Sequence, residues 1–183
     1  MEISTKPSPA AASCHGGADT IDPHDTRAAV ILAGKPNVGK SVLFSRLTGH
    51  YTSVSNYPGT TVDVATGILS AGDTSYRVVD TPGIYSLTPL SEDERVARDL
   101  LRDRRAHTVL QVADAKNLEF VLPFTLQLID AGLPTVLVLN MMDEARSLGL
   151  QIDIEALQKK LGIPVVPTTA TTGEGIEELL RLI

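Results

Sequence analysis

The sequence predicts a doubly wound α/β domain: a mostly parallel, six-stranded sheet with one antiparallel strand and helices on both faces. Three observations lead there. Apolar runs of strand length alternate with segments of helical spacing from residue 28 to residue 183. Residues 34–41 read G-x-x-x-x-G-K-S, a glycine-rich turn between the first such run and the first helix. A single tight antiparallel hairpin, turning at Gly72-Asp73-Thr74, breaks the alternation.

The first strand is the run AAVILA at residues 28–33, and residues 42–47, VLFSRL, have the spacing of a helix that starts near Lys40. Between them the glycines let the backbone of Gly34, Lys35, Pro36, Asn37, Val38, Gly39, Lys40, Ser41 and Val42 curl into a concave nest of amides. The positive end of the helix faces the same space, so the loop suits a phosphate chain. Lys40 is placed to reach the β- and γ-phosphates of a nucleoside triphosphate, and Ser41 to hold Mg²⁺.

Residues 49–61 are polar and turn-forming and read as a long surface loop, a candidate switch beside the phosphates. Thr61, just before the next strand, is the expected residue to complete the Mg²⁺ shell and sense the γ-phosphate. Residues 62–69 alternate as a half-exposed strand and pair with residues 76–79 across the hairpin. That second strand ends in Asp80-Thr81-Pro82-Gly83. Asp80 then lies opposite the phosphate loop, where a carboxylate supports the metal, and Gly83 lets its amide approach the γ-phosphate.

Ser91 and Glu94 form a capping box opening a helix to about Arg105. Residues 108–114 are a buried strand. A helix over residues 117–131 follows, with Leu118, Val121, Leu122, Thr125 and Ile129 on one face and Pro123 expected to interrupt it. Phe120 and Phe124 fall on a second stripe, expected to dock another domain or protomer. The next strand, residues 134–139, ends in Asn140-Met141-Met142-Asp143. N-x-x-D at a strand's carboxyl end suits guanine: Asp143 would accept from N1 and N2, and Asn140 would contact N7 and tie neighbouring loops together. A short helix (residues 154–161), a last strand (residues 164–167), a loop and a final amphipathic helix (residues 175–183) complete the domain. Amides near Thr169, Ala170 and Thr171 would read guanine O6.

The bulk numbers narrow the classes. Of 183 residues 43% are hydrophobic, enough for one ordinary core, and the net charge of −6 disfavours nucleic-acid partners. One cysteine, Cys14, excludes an intrachain disulfide. No apolar run reaches the roughly 20 residues of a membrane helix, which predicts a soluble chain. Residues 1–27 lack hydrophobic period and read as a disordered tail; Cys14, His15 and His24 there match no standard zinc spacing.

Four elements in this order, residues 34–41, Thr61, residues 80–83 and residues 140–143, resemble those of translation-factor-like small GTPases, with Thr169-Ala170 resembling the fifth. The stretches NYPGTTVD (residues 56–63), DTPGIYSL (residues 80–87), DAKNL (residues 114–118) and the methionine-containing NMMD more specifically resemble the amino-terminal G domain of the bacterial ferrous iron transporter B family. The family more often has leucine at Thr81, glutamate at Asp63, and polar residues or tyrosine at Phe120, Val121 and Pro123. The resemblance implies GTP and GDP as ligands with Mg²⁺. It also implies a K⁺ site formed by Asn37 and the carbonyls of Ser55 and Tyr57. Helical and membrane domains of a parent transporter would be the partners, on the cytoplasmic side of the inner membrane. Ile84 stands where many GTPases carry a water-orienting glutamine, so slow hydrolysis is expected, with Lys40, Asn37, Thr61 and Gly83 as the catalytic set. A soluble ribosome-assembly GTPase and a scaffold that binds without hydrolysis are the competing readings.

Overall fold

A computed structural model describes residues 26–49 and 52–183. The tail, with Cys14, His15 and His24, lies outside the described residues. Among those described, seven strands form one sheet in the order β2-β3-β4-β1-β5-β6-β7. β1 (Ala29–Ala33) is central and fully buried, paired in parallel with β4 (Thr74–Asp80) and β5 (Ala106–Asp114). β6 (Thr135–Asn140) and β7 (Val165–Pro167) extend the parallel side. β3 (Asp63–Ala71) is antiparallel to both β4 and β2 (Thr52–Asn56), so it is the one reversed strand.

The expected six strands become seven because residues 52–56 are not loop. Thr52-Ser53-Val54-Ser55-Asn56 carries β-branched and small residues and pairs in register with residues 63–67. Its polar composition marks an edge strand, one face of which stays wet, and composition alone does not separate that from a loop.

Helices α1 (Lys40–Thr48) and α6 (Ile176–Leu180) cover one face of the sheet. Leu43, Phe44 and Leu47 of α1 pack there on Val30, Leu32, Leu110 and Val112. Each such side chain contributes roughly 1.5–3 kcal/mol by leaving water. The opposite face is covered by α2 (Glu92–Leu101), α3 (Leu118–Asp130), α4 (Met142–Ser147) and α5 (Ile154–Leu161). The capping box is formed in part. Ser91 Oγ accepts from the Glu94 amide, while the Glu94 carboxylate reaches one residue further back, to the Leu90 amide. α2 stops at Leu101 rather than Arg105, where Asp103 turns the chain by accepting from the Arg105 amide and side chain.

α3 corrects two expectations. It runs through Pro123 unbroken, with the proline on the exposed side of the helix, where its ring meets no core neighbour. The two phenylalanines also part company: Phe124 is 3% exposed, packed with Ile31 and Leu128, whereas Phe120 is 61% exposed. Val121, Phe124, Thr125 and Leu128 form the buried face, rotated from the expected one because the helix meets the sheet through Phe124. The final helix is also shorter than residues 175–183. Among the described residues no helix is long and apolar enough to cross a membrane.

Candidate functional site

The carboxyl ends of β1, β4, β6 and β7 lie along one edge, and these ends and the segments leaving them carry most of the predicted site residues, Ser55, Tyr57 and Thr61 falling instead on the β2–β3 hairpin. Residues 34–41 leave β1 as expected. Asn37 and Gly39 adopt positive φ, 62° and 89°, which curls the loop. A side chain at Gly39 would also press within 2.2 Å of Asn140 Nδ2. Val38 is buried and anchors the loop in the core, while Pro36 and Asn37 are exposed at its rim and Val42 on the helix behind it.

Lys40 folds over the loop, its Nζ donating to Gly34 O at 3.2 Å and Lys35 O at 3.1 Å. Burial holds its pKa below the ordinary lysine value, partly opposed by the Asp80 charge. Ser41 Oγ donates to Asp80 Oδ2 at 2.9 Å, joining the two residues expected to share Mg²⁺. Burial raises the Asp80 pKa, against the lowering effects of Ser41 and Lys40. Asp80 Oδ1 is buried without a protein hydrogen bond. An uncompensated buried carboxylate oxygen beside a hydroxyl is a donor set suited to a hard divalent cation. Thr61 is exposed, yet it lines a cavity of about 340 Å³ together with Asp63, Asp80, Thr81, Pro82 and Asp93. Thr81, where leucine was expected, buries its hydroxyl by donating to Leu32 O at 2.8 Å, so the substitution costs no unpaired polar atom.

Residues 80–87, which resemble the family's second switch, lie close against the loop. A Cβ on Gly83 would come within 2.6 Å of Pro36 Cγ, which demands glycine there. Ile84 donates its amide to Gly34 O at 3.0 Å and buries its side chain in the core with Val79 and Ala97. The position that elsewhere holds a glutamine therefore turns away from the phosphates.

The residues expected around K⁺ lie on two segments, Asn37 on the phosphate loop and Ser55 and Tyr57 at the end of β2 and just beyond it. Tyr57 O accepts from both the amide and the hydroxyl of Thr60, closing a turn at the tip of the β2–β3 hairpin. Ser55 sits within β2, paired with Val64. The Tyr57 ring packs into the core on the α2 side, where burial and the nearby charges of Asp99 and Asp103 raise its pKa.

At the base end, Asn140 does what N-x-x-D predicts for its binding of loops. Its Nδ2 donates to Val38 O at 3.0 Å, and its Oδ1 accepts from the Ala170 amide at 2.9 Å and the Thr168 hydroxyl at 3.2 Å. Met141 adopts φ 62° and turns the chain so that Asp143 stands exposed in the first turn of α4. The Ala170 amide, expected to read O6, is thereby engaged by Asn140, and Thr171 lies exposed next to it. Thr169 is buried and bridges to Glu174, which also pairs with Arg146. Arg46 of α1 donates to Ala170 O and Thr171 O, fastening this loop from below. Thr168, Arg46 and Glu174 carry no motif in the sequence; only the fold brings them here. Asp114 organises the adjoining turn, accepting from the Lys116 amide and from Asn117 Nδ2.

Sheet order, phosphate loop and site edge together define a P-loop GTPase fold. A family model described as "Ferrous iron transport protein B" matches residues 28–183, and the chain belongs to this family, as its amino-terminal G domain. The chain is 45% identical over 82% of its length to the Fe(2+) transport protein A/Fe(2+) transporter FeoB fusion protein of Porphyromonas gingivalis, covering 18% of that protein. It is 43% identical over 81% to the Fe(2+) transporter FeoB of Escherichia coli, covering 20%. It thus spans about a fifth of the length of these relatives. Among solved structures, the cytosolic domain of T. maritima FeoB in a GDP form matches with TM-score 0.81 at 44% identity, over 84% of this chain and 61% of that one. The isolated G domain of T. maritima FeoB matches with TM-score 0.78 at 42% identity, over 85% and 95%.

Proposed function

We propose that the chain binds GTP and GDP through these loops and hydrolyses GTP slowly. In this reading it is the cytoplasmic regulatory part of a ferrous iron transporter in the bacterial inner membrane. The observation that carries the reading is Asn140. It wires the base loop (Ala170, Thr168) to the phosphate loop (Val38), while Asp143, one turn on, offers the carboxylate that guanine's N1–H and 2-amino groups need. Adenine has neither group, so a buried polar frame of this kind discriminates by about 10⁴-fold.

Hydrolysis is in-line attack of water on the γ-phosphate. Amides of the phosphate loop and Gly83, with the Lys40 ammonium, stabilise charge on the transferring group. A divalent cation held by Ser41 and Asp80, with Thr61 joining, would neutralise charge between the β- and γ-phosphates. With Ile84 buried, backbone groups orient the water, which sets a low intrinsic rate. Thr61 and Gly83 hold the two switches to the γ-phosphate and release them after hydrolysis. The helical and membrane parts of the longer relatives are the receivers of that change. The net charge of −6 weighs against the ribosome-assembly reading, which needs an RNA-binding surface.

Calorimetry with GDP and ADP tests the binding: equal affinities end the proposal. Single-turnover hydrolysis with Mg²⁺ separates an enzyme from a scaffold. Asn37 and the carbonyls of Ser55 and Tyr57 are the groups that would hold a K⁺ ion against the phosphates. Turnover faster in KCl than in NaCl, with the difference lost in Asn37→Ala, is the expected sign of that site.

A further inference from the structure

We propose that Lys35 is a positioning residue that clips the second switch to the phosphate loop and to α3. It thereby fixes the place from which Gly83 and the backbone beyond it meet the γ-phosphate. This rests on the hydrolysis reading above.

Lys35 is the second residue of the phosphate loop, and its side chain reaches α3. Its Nζ donates to Phe120 O of α3 at 2.9 Å and lies 5.7 Å from the ring centroids of both Tyr85 and Phe120. Tyr85 follows directly after Ile84 in the second switch and is 54% exposed. Two large rings left mostly in solvent are not held by core packing; the ammonium gives each of them a partner. The carbonyl that receives the ammonium lies in the first turn of α3, so the bond ties the phosphate loop to the start of that helix. Meanwhile the main-chain carbonyl of Lys35 accepts from Lys40 Nζ at 3.1 Å. One residue therefore touches the triphosphate lysine through its backbone and the switch through its side chain.

The rest of the switch is pinned on either side of Tyr85. The Ile84 amide is on Gly34 O at 3.0 Å. Further on, Gln127 Oε1 of α3 accepts from Ser86 Oγ at 3.0 Å and from the Leu87 amide at 2.8 Å. Lys35 fills the gap between those anchors. Without it, the backbone just past Gly83, which must orient water because Ile84 cannot, is free to sample positions that do not support attack.

The test compares Lys35→Met, Lys35→Arg and Phe120→Leu in the full 183-residue chain. Methionine keeps the stem but removes the cation and the donor; arginine keeps both. The expected result for Lys35→Met is a kcat about three- to tenfold lower. Its GDP affinity should stay within about twofold, because the loop amides and the guanine frame are untouched. Hydrogen exchange at amides 84–88 should be faster in Lys35→Met, arginine should restore both readouts, and Phe120→Leu should give a smaller loss that does not add to that of Lys35→Met. Wild-type kcat and exchange in Lys35→Met overturn the clip, as does equal impairment by methionine and arginine, or a loss confined to nucleotide affinity. A wild-type chain that does not hydrolyse GTP sinks the hydrolysis reading instead. Exchange at amides 84–88 then decides on the clip alone, and an unchanged rate in Lys35→Met overturns it.

Discussion

Asn140 is 3% exposed and has both ends of its carboxamide engaged, whereas Thr61 stands exposed in the turn between β2 and β3 at the sheet edge. Both fall in the proposed nucleotide site. The proposed guanine end is assembled from buried side-chain bonds that are already made, so little ordering cost would fall on binding the base. The first switch is held by main-chain pairing with β3, by the Thr60 contacts to Tyr57 O and by the partly buried Tyr57 ring. Edge pairing of that kind can be exchanged for contacts to a γ-phosphate at modest cost, while the Asn140 frame cannot be dismantled without unpairing buried groups. The second switch lies between these extremes, glycine-tight against Pro36 yet held by single bonds beyond Ile84.

The sharpest way to probe the fixed end is Asp143→Asn. GDP affinity should fall about 10³-fold or more, and xanthosine diphosphate, which carries an acceptor where guanine has its amine, should bind in its place; competition calorimetry reads both. Because Asp143 is exposed in α4, the melting temperature should hardly move. Asp80→Asn should reduce Mg²⁺-dependent turnover by about 10²-fold or more. It should also stabilise the nucleotide-free chain, since burial pushes the Asp80 pKa up. A raised carboxylate pKa means the folded state binds more protons than the unfolded one. Stability is then lost as pH rises through the carboxylate range, and melts of wild type and variant should diverge over that window. Curves that stay parallel would show that Ser41 and Lys40 fully compensate the charge.

Asn140→Ala strands Val38 O, the Ala170 amide and the Thr168 hydroxyl, so chemical denaturation should show a loss of about 2–4 kcal/mol even without nucleotide. An unchanged midpoint would break the contrast between the two ends. The smallest effect is expected at Thr61→Ala: hydrolysis roughly tenfold slower, with stability within about 0.5 kcal/mol of wild type because the side chain is exposed. A large loss of stability there would mean that the first switch is as firmly built as the base site.

Much of this was legible in the chain. A parallel α/β sheet follows from buried apolar runs spaced by helical segments, and the G-x-x-x-x-G-K-S, D-x-x-G and N-x-x-D signatures mark where its loops do chemistry. Such features are local: a glycine at positive φ, or a carboxylate at a strand's end, acts through its own few neighbours. β2 was missed because a polar edge strand is fixed by its partner's register rather than by its own composition. Phe120 and Phe124 were read alike because helical spacing cannot say which of two adjacent stripes meets the sheet. Pro123 was given too much weight for a single exposed proline in a helix otherwise held by its buried face.

Sequence by itself determined the fold class and the family, since phosphate nests and N-x-x-D turns need particular residues at fixed spacing. Only the tertiary structure decided that Ile84 turns inward, that Tyr57 O is already taken by Thr60, and that Arg46 and Thr168 brace the base loop. It also decided that Lys35 reaches across to α3. Each of those contacts joins residues far apart in the chain or depends on which way a side chain leaves its strand, and packing against the rest of the molecule sets both.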